Sequence, residues 1–145
     1  MRNDLGKVCE ARSVRVAKHR EIEKYSHVIH TVSTVEGSLK KGMSVTDVVR
    51  AVFPGGSVTG CQKKRTMEII RDLEMCPRDV YCGSAGYISM SGNMDLNILI
   101  RTMAWKDGTV YFHSGGGIVV DSDAEKEYCE VLDKAEAMVR AVKGE

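Results

Sequence analysis

The short turns in the second half of the chain constrain the fold more than any other feature. Residues 80–91, 95–105 and 109–113 contain side chains typical of strands, and only a short turn at Gly92-Asn93 and a Lys-Asp-Gly turn at 106–108 lie between them. Turns this short join antiparallel neighbours, because parallel strands need a crossover of a dozen residues or more. The sequence therefore predicts three neighbouring antiparallel strands.

The first half of the chain predicts two strands followed by two helices. Residues 12–17 alternate in polarity, and residues 26–38 form a long β-branched run. A capping-box pattern at Ser44 begins a helix that the Pro-Gly-Gly at 54–56 ends, and residues 62–74 form a second helix. With the strands that follow, this order predicts the α+β class, an antiparallel sheet with flanking helices.

A last helix is predicted from a cap within residues 121–123 to about Val142. Apolar side chains recur on it at helical spacing, at Tyr128, Leu132, Ala135, Val139 and Val142. This spacing predicts one buried stripe along the helix.

Composition narrows the class of protein. The 145 residues suit one domain or part of a larger one, and 21 basic against 20 acidic residues leave a net charge of +1. This balance argues against nucleic acid as a partner, and no apolar run is long enough for a membrane span. The five cysteines are odd in number and include no CxxC pair, which favours reduced thiols and a cytoplasmic location.

Three charged residues, Glu127, Glu130 and Lys134, share one stripe of the last predicted helix. Two carboxylates one turn apart can bind a hard divalent cation such as Mg²⁺, together with water and a second source of ligands. The alternative is a solvated face with a Glu130–Lys134 ion pair, and spacing alone favours that alternative.

Two loops of small residues are candidate anion sites. The glycine triplet at 115–117 can present successive N–H groups to an anion, or it can be a tight turn or bulge. The loop at 54–60 carries the hydroxyls of Ser57 and Thr59 before a basic helix start, or it is an ordinary interhelical loop. Spacing alone favours the structural alternative for both.

Two single polar residues lie in predicted strands. His30 is a lone strand histidine, which is more often structural than catalytic. Arg101 closes an apolar run as its only charge, so burial there would require an anion, either a protein carboxylate or a bound one.

Taken together, these segments resemble the chorismate-binding enzymes, a family that includes anthranilate, aminodeoxychorismate, isochorismate and salicylate synthases. The matching stretches, in the family's order, are Arg2-Asn3-Asp4-Leu5-Gly6, Tyr25-Ser26-His27-Val28-Ile29-His30, Val35-Glu36-Gly37, Phe53-Pro54-Gly55-Gly56-Ser57-Val58-Thr59-Gly60, Met67-Glu68-Ile69-Ile70, Gly92-Asn93-Met94-Asp95, Ile100-Arg101-Thr102, Gly115-Gly116-Gly117-Ile118-Val119 and Asp121-Ser122-Asp123. The resemblance implies that residues 1–145 are the C-terminal portion of a chorismate-binding domain, with the α+β fold of that family.

The resemblance implies a substrate site for chorismate. Its carboxylate ligands would be Tyr81, Arg101 and the backbone of Gly115 and Gly116. Ser57 and Thr59 would line the same cavity, and His30, as the catalytic residue, would lie beside the ring where the hydroxyl leaves.

The resemblance also implies a magnesium site on the last helix. Glu130 would bind Mg²⁺, Glu127 would hold its water shell, and Lys134 would lie close by as a substrate-binding residue. The cation would neutralise the ring carboxylate and stabilise the charge that develops as the 4-hydroxyl departs.

Within the family, Tyr81-Cys82-Gly83-Ser84 and Gly92-Asn93-Met94-Asp95 look more like aminodeoxychorismate synthase than anthranilate synthase. This likeness implies amination of chorismate at C4 on the route to folate, with ammonia from a glutamine amidotransferase subunit. Anthranilate synthase is the alternative, because some of its members share the Gly-Asn-Met-Asp form.

The family's second magnesium carboxylate and its catalytic lysine lie upstream of the motif at which this chain begins. We therefore expect one half of a split enzyme, an inactive gene remnant or a truncated chain. In each case apolar side chains should be exposed where the upstream part would pack.

Overall fold

The computed structural model describes residues 1–24, 29–60 and 62–144. The chain divides into two compact units, Met1–Thr66 and Met67–Glu145, which are described separately below. The assignment of residues 1–145 to part of one family domain stays a prediction.

Helices and short antiparallel strands make up both units, which confirms the α+β class. In chain order the elements are α1 Arg2–Val8, β1 Arg15–Lys24, β2 Ile29–Glu36, α2 Val45–Val52, α3 Gly56–Thr59, α4 Lys63–Leu73, β3 Gly86–Ile88, β4 Met94–Leu96, β5 Met103–Lys106, β6 Thr109–Phe112 and α5 Ala124–Lys143. Within the described residues, no helix is long and apolar enough to cross a bilayer.

The first two strands form one antiparallel hairpin. β1 is ten residues long and pairs with β2 from Arg15 opposite Glu36 to Lys24 opposite Ile29. The predicted strand at 12–17 was therefore too short, because the charged residues that follow it carry no alternating pattern. Residues 26–28 of the second predicted strand lie outside the described residues, and the remainder of that strand is confirmed as far as Glu36.

The capping box of the first predicted helix is confirmed. The Ser44 hydroxyl accepts a hydrogen bond from the Asp47 amide at 3.2 Å, and the Asp47 carboxylate accepts one from the Ser44 amide at 3.0 Å. These bonds satisfy two donors that a helix start leaves without partners. They also hold the pKa of Asp47 below its usual value.

The second unit contains two hairpins at the predicted turns. β3 pairs with β4 and β5 pairs with β6, both antiparallel, and glycines 92 and 108 adopt positive φ angles in the turns. The strands are shorter than predicted, and among the described residues the hairpins form separate two-stranded sheets instead of one. Left-handed backbone at Cys82 and Arg101 interrupts regular pairing at the ends of the predicted strands.

The buried stripe predicted for the last helix is wrong. Tyr128 is 64% exposed, whereas Met138 is only 6% exposed. The preceding loop packs on a different face of α5, since the Ser114 hydroxyl donates to the Val131 carbonyl at 2.8 Å. Positions 131 and 138 are turned by about 100° from 132 and 139, which is one residue along an α-helix.

Many large apolar side chains are exposed, as expected for a chain that supplies part of a larger core. Among the described residues, Val8, Cys9, Cys82 and Met138 are the buried apolar ones. Exposed examples are Trp105, Ile118 and Val120. Exposed apolar surface on this scale is typical of a face that packs against other protein.

One buried carboxylate of the first unit links α1 to the start of α4. Asp4 on α1 forms an ion pair with Lys63 at 3.0 Å, and Lys63 also donates to the Val52 carbonyl at 2.8 Å. The Asp4 carboxylate lies close to Gly56, where a Cβ would be 3.2 Å from its Oδ2. Burial acts to raise the pKa of Asp4, but the hydrogen bonds and charges of Lys63 and Lys7 outweigh it and lower that pKa.

We predict that Asp4→Asn lowers the free energy of unfolding by about 1–3 kcal/mol, because Lys63 loses its buried anionic partner. Asp72→Asn is the matched control, since Asp72 pairs with Arg71 at the surface. The control should change stability by less than about 0.5 kcal/mol. Urea denaturation at neutral pH measures both, and equal effects would contradict the assignment.

The same ion pair predicts a pH dependence. The pKa of Asp4 is lower in the folded chain than its usual 3.8. Its stabilising contribution is therefore present above the unfolded pKa and is lost as the pH falls through the folded pKa. We expect the stability difference between the native chain and Asp4→Asn to shrink below about pH 4.

Candidate active site

Tyr81 is held by aromatic and charged neighbours in the second unit. Its ring stacks on His113 with centroids 5.4 Å apart and planes inclined by 21°. The guanidinium carbon of Arg78 lies 5.7 Å from the ring centroid. Burial, together with the neighbouring Cys82, raises the pKa of Tyr81 above its usual 10.0, so the phenol is a neutral hydrogen-bond donor at neutral pH.

The hydroxyl of Tyr81 lies against the glycine loop. A Cβ at Gly115 would be 2.8 Å from this oxygen, closer than real Cβ contacts come. Within the described part of the chain, no hydrogen bond from the N–H groups of Gly115 or Gly116 to a backbone carbonyl is present. A phenol and N–H groups at the same place can donate together to one anion.

Gly116, next along the loop, lies against a carboxylate of α5. A Cβ at Gly116 would be 3.2 Å from Glu127 Oε2. The other carboxylate oxygen of Glu127 accepts a hydrogen bond from Ser122 at 2.5 Å, and the Ser122 hydroxyl itself accepts from the Val119 amide at 3.0 Å. Glu127 is therefore fixed beside the loop by a two-step hydrogen-bond chain.

Glu130 lies one turn further along α5 and forms an ion pair with Lys134 at 2.5 Å. This pair is the structural alternative that spacing favoured. It also keeps a half-exposed carboxylate and an ammonium group on the helix face that carries Glu127.

The donor set suits magnesium in its chemistry. Glu127 and Glu130 supply hard oxygen ligands, and Mg²⁺ commonly keeps several waters while binding one or two carboxylates. Among the described residues, no group of three or more His, Cys, Asp or Glu side chains could hold a metal. Water and an anionic substrate would therefore have to complete the coordination shell.

Arg101 does not lie in a strand, so that part of its prediction is wrong. It forms a bend between β4 and β5, with φ at 51°. A non-glycine residue in this left-handed region is uncommon, and such residues cluster at functional sites. Arg101 is exposed, so burial does not dictate its partner. Its role as a carboxylate ligand stays a prediction.

Three candidate residues belong to the first unit. Ser57 and Thr59 lie in α3, where the Thr59 hydroxyl donates to the Gly55 carbonyl at 3.1 Å. His30 lies in β2 opposite Glu23. The structure thus brings Tyr81, Gly115, Gly116 and Glu127 together in the second unit, whereas a shared cavity with Ser57, Thr59 and His30 stays a prediction.

Sequence reasoning missed two residues that shape this region, His113 and Ser122. His113 ended a predicted strand, and no local pattern links it to an aromatic ring 32 residues earlier in the chain. The sequence offers Ser122 as one of three possible helix caps, a role that Asp123 fills by accepting from the Lys126 amide at 3.1 Å. A hydroxyl just before an acidic helix start was the available signal for Ser122.

Comparison with known proteins identifies the family. The family model described as chorismate binding enzyme matches residues 1–140. This chain belongs to the chorismate-binding enzymes.

Related chorismate-binding enzymes include proteins with two different names. The chain is 48% identical over 141 residues to anthranilate synthase component 1 of Aquifex aeolicus, covering 97% of this chain and 28% of that protein. It is also 48% identical over 141 residues to aminodeoxychorismate synthase component 1 of Bacillus subtilis, covering 97% of this chain and 30% of that protein. The chain thus spans less than a third of these relatives.

A solved structure supports the fold of this chorismate-binding enzyme chain. Anthranilate synthase component I from Streptococcus pneumoniae matches with a TM-score of 0.87 and 44% identity. The match covers 96% of this chain and 32% of that one. The expected family fold is therefore confirmed.

We predict that Gly115→Ala displaces the Tyr81 ring, because the added Cβ would overlap the phenol oxygen. Displacement into solvent should lower the pKa of Tyr81 toward its usual value, since burial is the first cause of the increase. Gly117→Ala is the control, because a Cβ there meets nothing within 4 Å. Titration of ¹³C-labelled tyrosine by NMR measures the change, and identical Tyr81 titrations in both variants would contradict the close approach.

Proposed function

We propose that this chain supplies the carboxylate- and metal-binding part of a site that aminates chorismate. The observation that carries the proposal is the glycine loop, which lies against the Tyr81 hydroxyl on one side and the Glu127 carboxylate on the other. Chorismate carries carboxylates, so a cluster of donors next to a cation site matches its chemistry.

The anion-binding part consists of the Tyr81 hydroxyl, the N–H groups of Gly115 and Gly116, and the Arg101 guanidinium. Stacking on His113 limits the motion of Tyr81, so little ordering remains to be done when the substrate binds. We expect Ser57 and Thr59 to line the same cavity and His30 to lie beside the leaving hydroxyl, as the family resemblance implies.

The metal-binding part consists of Glu130 as ligand and Glu127 as the holder of the water shell. A bound Mg²⁺ supplies a positive charge that neutralises the ring carboxylate and favours departure of the 4-hydroxyl. Lys134 forms an ion pair with Glu130. When a cation binds Glu130, the ammonium group of Lys134 would instead contact the substrate or solvent. Ser122 keeps Glu127 oriented throughout.

The remainder of the site is expected from the part of the relatives that this chain does not match. The resemblance implies that this part carries a second magnesium carboxylate and a lysine nucleophile. The exposed apolar side chains of both units are consistent with packing against further protein of this kind. We further expect a glutamine amidotransferase subunit to supply ammonia.

We propose amination at C4, the reaction of aminodeoxychorismate synthase on the route to folate. Anthranilate synthase is the second candidate, and the equal 48% identity to relatives of both names supports it as strongly.

The described cysteines 9, 76, 82 and 129 are free thiols, which is consistent with a reducing compartment, and we expect a cytoplasmic location.

Product analysis separates the two candidates. The chain, combined in trans with the remainder of the family domain that the resemblance implies, is supplied with chorismate, Mg²⁺ and ammonia. Aminodeoxychorismate is expected as the product, and anthranilate would favour the second candidate. Robust turnover by the 145-residue chain alone would contradict the need for the upstream part.

In the same assay we predict that Glu130→Gln lowers turnover at least about 100-fold, because it removes a charged metal ligand with little change of shape. Glu136→Gln is the matched control, since Glu136 forms the corresponding i,i+4 pair with Arg140 on the same helix. The control should retain nearly full turnover. Equal turnover of the two variants would overturn the metal assignment.

A further inference from the structure

A bidentate ion pair follows the end of α4. The Arg78 guanidinium donates to both carboxylate oxygens of Glu74 through Nε, at 3.1 and 2.9 Å, and through a second nitrogen at 2.6 Å. The side chains are 24% and 39% exposed, so solvent screens this pair less than it screens a fully exposed one. The hydrogen bond from Arg78 lowers the pKa of Glu74, which keeps its charge.

The pair also contacts the segment that carries Tyr81. The remaining terminal nitrogen of Arg78 donates to the Cys82 sulfur at 3.4 Å, and the guanidinium carbon lies 5.7 Å from the Tyr81 ring centroid. The backbone joins the same residues, because the Tyr81 amide donates to the Arg78 carbonyl at 2.8 Å. The guanidinium of Arg78 therefore contacts Tyr81 and the next residue, Cys82, while the Arg78 backbone holds the Tyr81 amide.

The geometry distinguishes Arg78 from a substrate ligand. All three guanidinium nitrogens already donate within this cluster, and Glu74 neutralises the positive charge. A free anion would have to displace a bidentate carboxylate, whose geometry matches the planar donors of the guanidinium. Arg78 is thus suited to hold another residue in place.

We propose that the Glu74–Arg78 pair is a positioning device that fixes the Tyr81 ring on His113 with its hydroxyl at Gly115. The inference rests on the proposed function, because Tyr81 is the carboxylate ligand through which Arg78 acts. Without the pair, the left-handed turn at Asp79 and Cys82 loses its side-chain support, and the ring no longer keeps its stack.

The first test needs no substrate. NMR measures the ring-current shifts that Tyr81 and His113 cause in each other, in the variants Arg78→Gln and Glu74→Gln. The Glu74→Gln change removes the charge of the partner of Arg78 with almost no change of shape. In both variants the ring protons of Tyr81 and His113 should lose most of the ring-current shift that the native stack produces. Arg71→Gln is the control, because Arg71 pairs with Asp72 at the surface, and its shifts should stay native. An unchanged stack in folded Glu74→Gln would overturn the proposal.

The second test uses the reconstituted enzyme. Arg78→Gln should raise KM for chorismate about 10-fold and change kcat less than about 3-fold, because a loosened ligand weakens binding more than chemistry. In a Tyr81→Phe background the same substitution should have almost no effect on KM, since Arg78 acts through the lost hydroxyl. Arg78→Lys should recover only part of the affinity, because lysine cannot form the bidentate pair.

The two failures can be told apart. A KM effect of Arg78→Gln that persists undiminished in the Tyr81→Phe background would overturn the positioning role. Absence of any turnover in the native reconstituted enzyme would instead overturn the proposed function, and the ring-current result would still decide whether the pair holds Tyr81.

Discussion

The lack of side chains at Gly115 and Gly116 is the constraint on which the second unit depends. A Cβ at these positions would lie 2.8 Å from the Tyr81 hydroxyl and 3.2 Å from the Glu127 carboxylate. An added Cβ would overlap the phenol oxygen at Gly115, and at Gly116 it would require the Glu127 carboxylate to give by a few tenths of an ångström, so glycine suits both positions. The loop thereby connects the Tyr81 hydroxyl with the acidic start of α5, and the proposed site rests on this double contact.

Each ionised or phenolic group around the loop has a supporting neighbour. Ser122 orients Glu127, Lys134 pairs with Glu130, and His113 stacks on Tyr81. Such support reduces the side-chain motion that substrate binding would otherwise have to restrict. Under the proposed function, a cation or a carboxylate would enter an existing network of charges and would exchange partners there instead of meeting isolated groups.

Local patterns predicted much of the fold. The capping box at Ser44, the hairpin turns at 92–93 and 106–108, and the last helix were predicted from residue types that act within a few positions of each other. The strand lengths and the buried face of α5 were not. They depend on left-handed backbone at Cys82 and Arg101 and on the Ser114 contact with Val131, which no local spacing encodes.

The sequence by itself determined the family, the α+β class and the residue types of the candidate site, because motifs and turns are properties of neighbouring residues. Only the tertiary structure decided that the Tyr81 ring stacks on His113, that Gly115 and Gly116 lie against Tyr81 and Glu127, and that Arg78 supports the tyrosine segment. The physical reason is that the Tyr81 contacts with His113 and Gly115 join segments far apart in the chain, whereas the Arg78 contacts, though local, depend on left-handed backbone at Asp79 and Cys82. Their distances follow from packing and from close backbone approach, which a linear pattern does not contain.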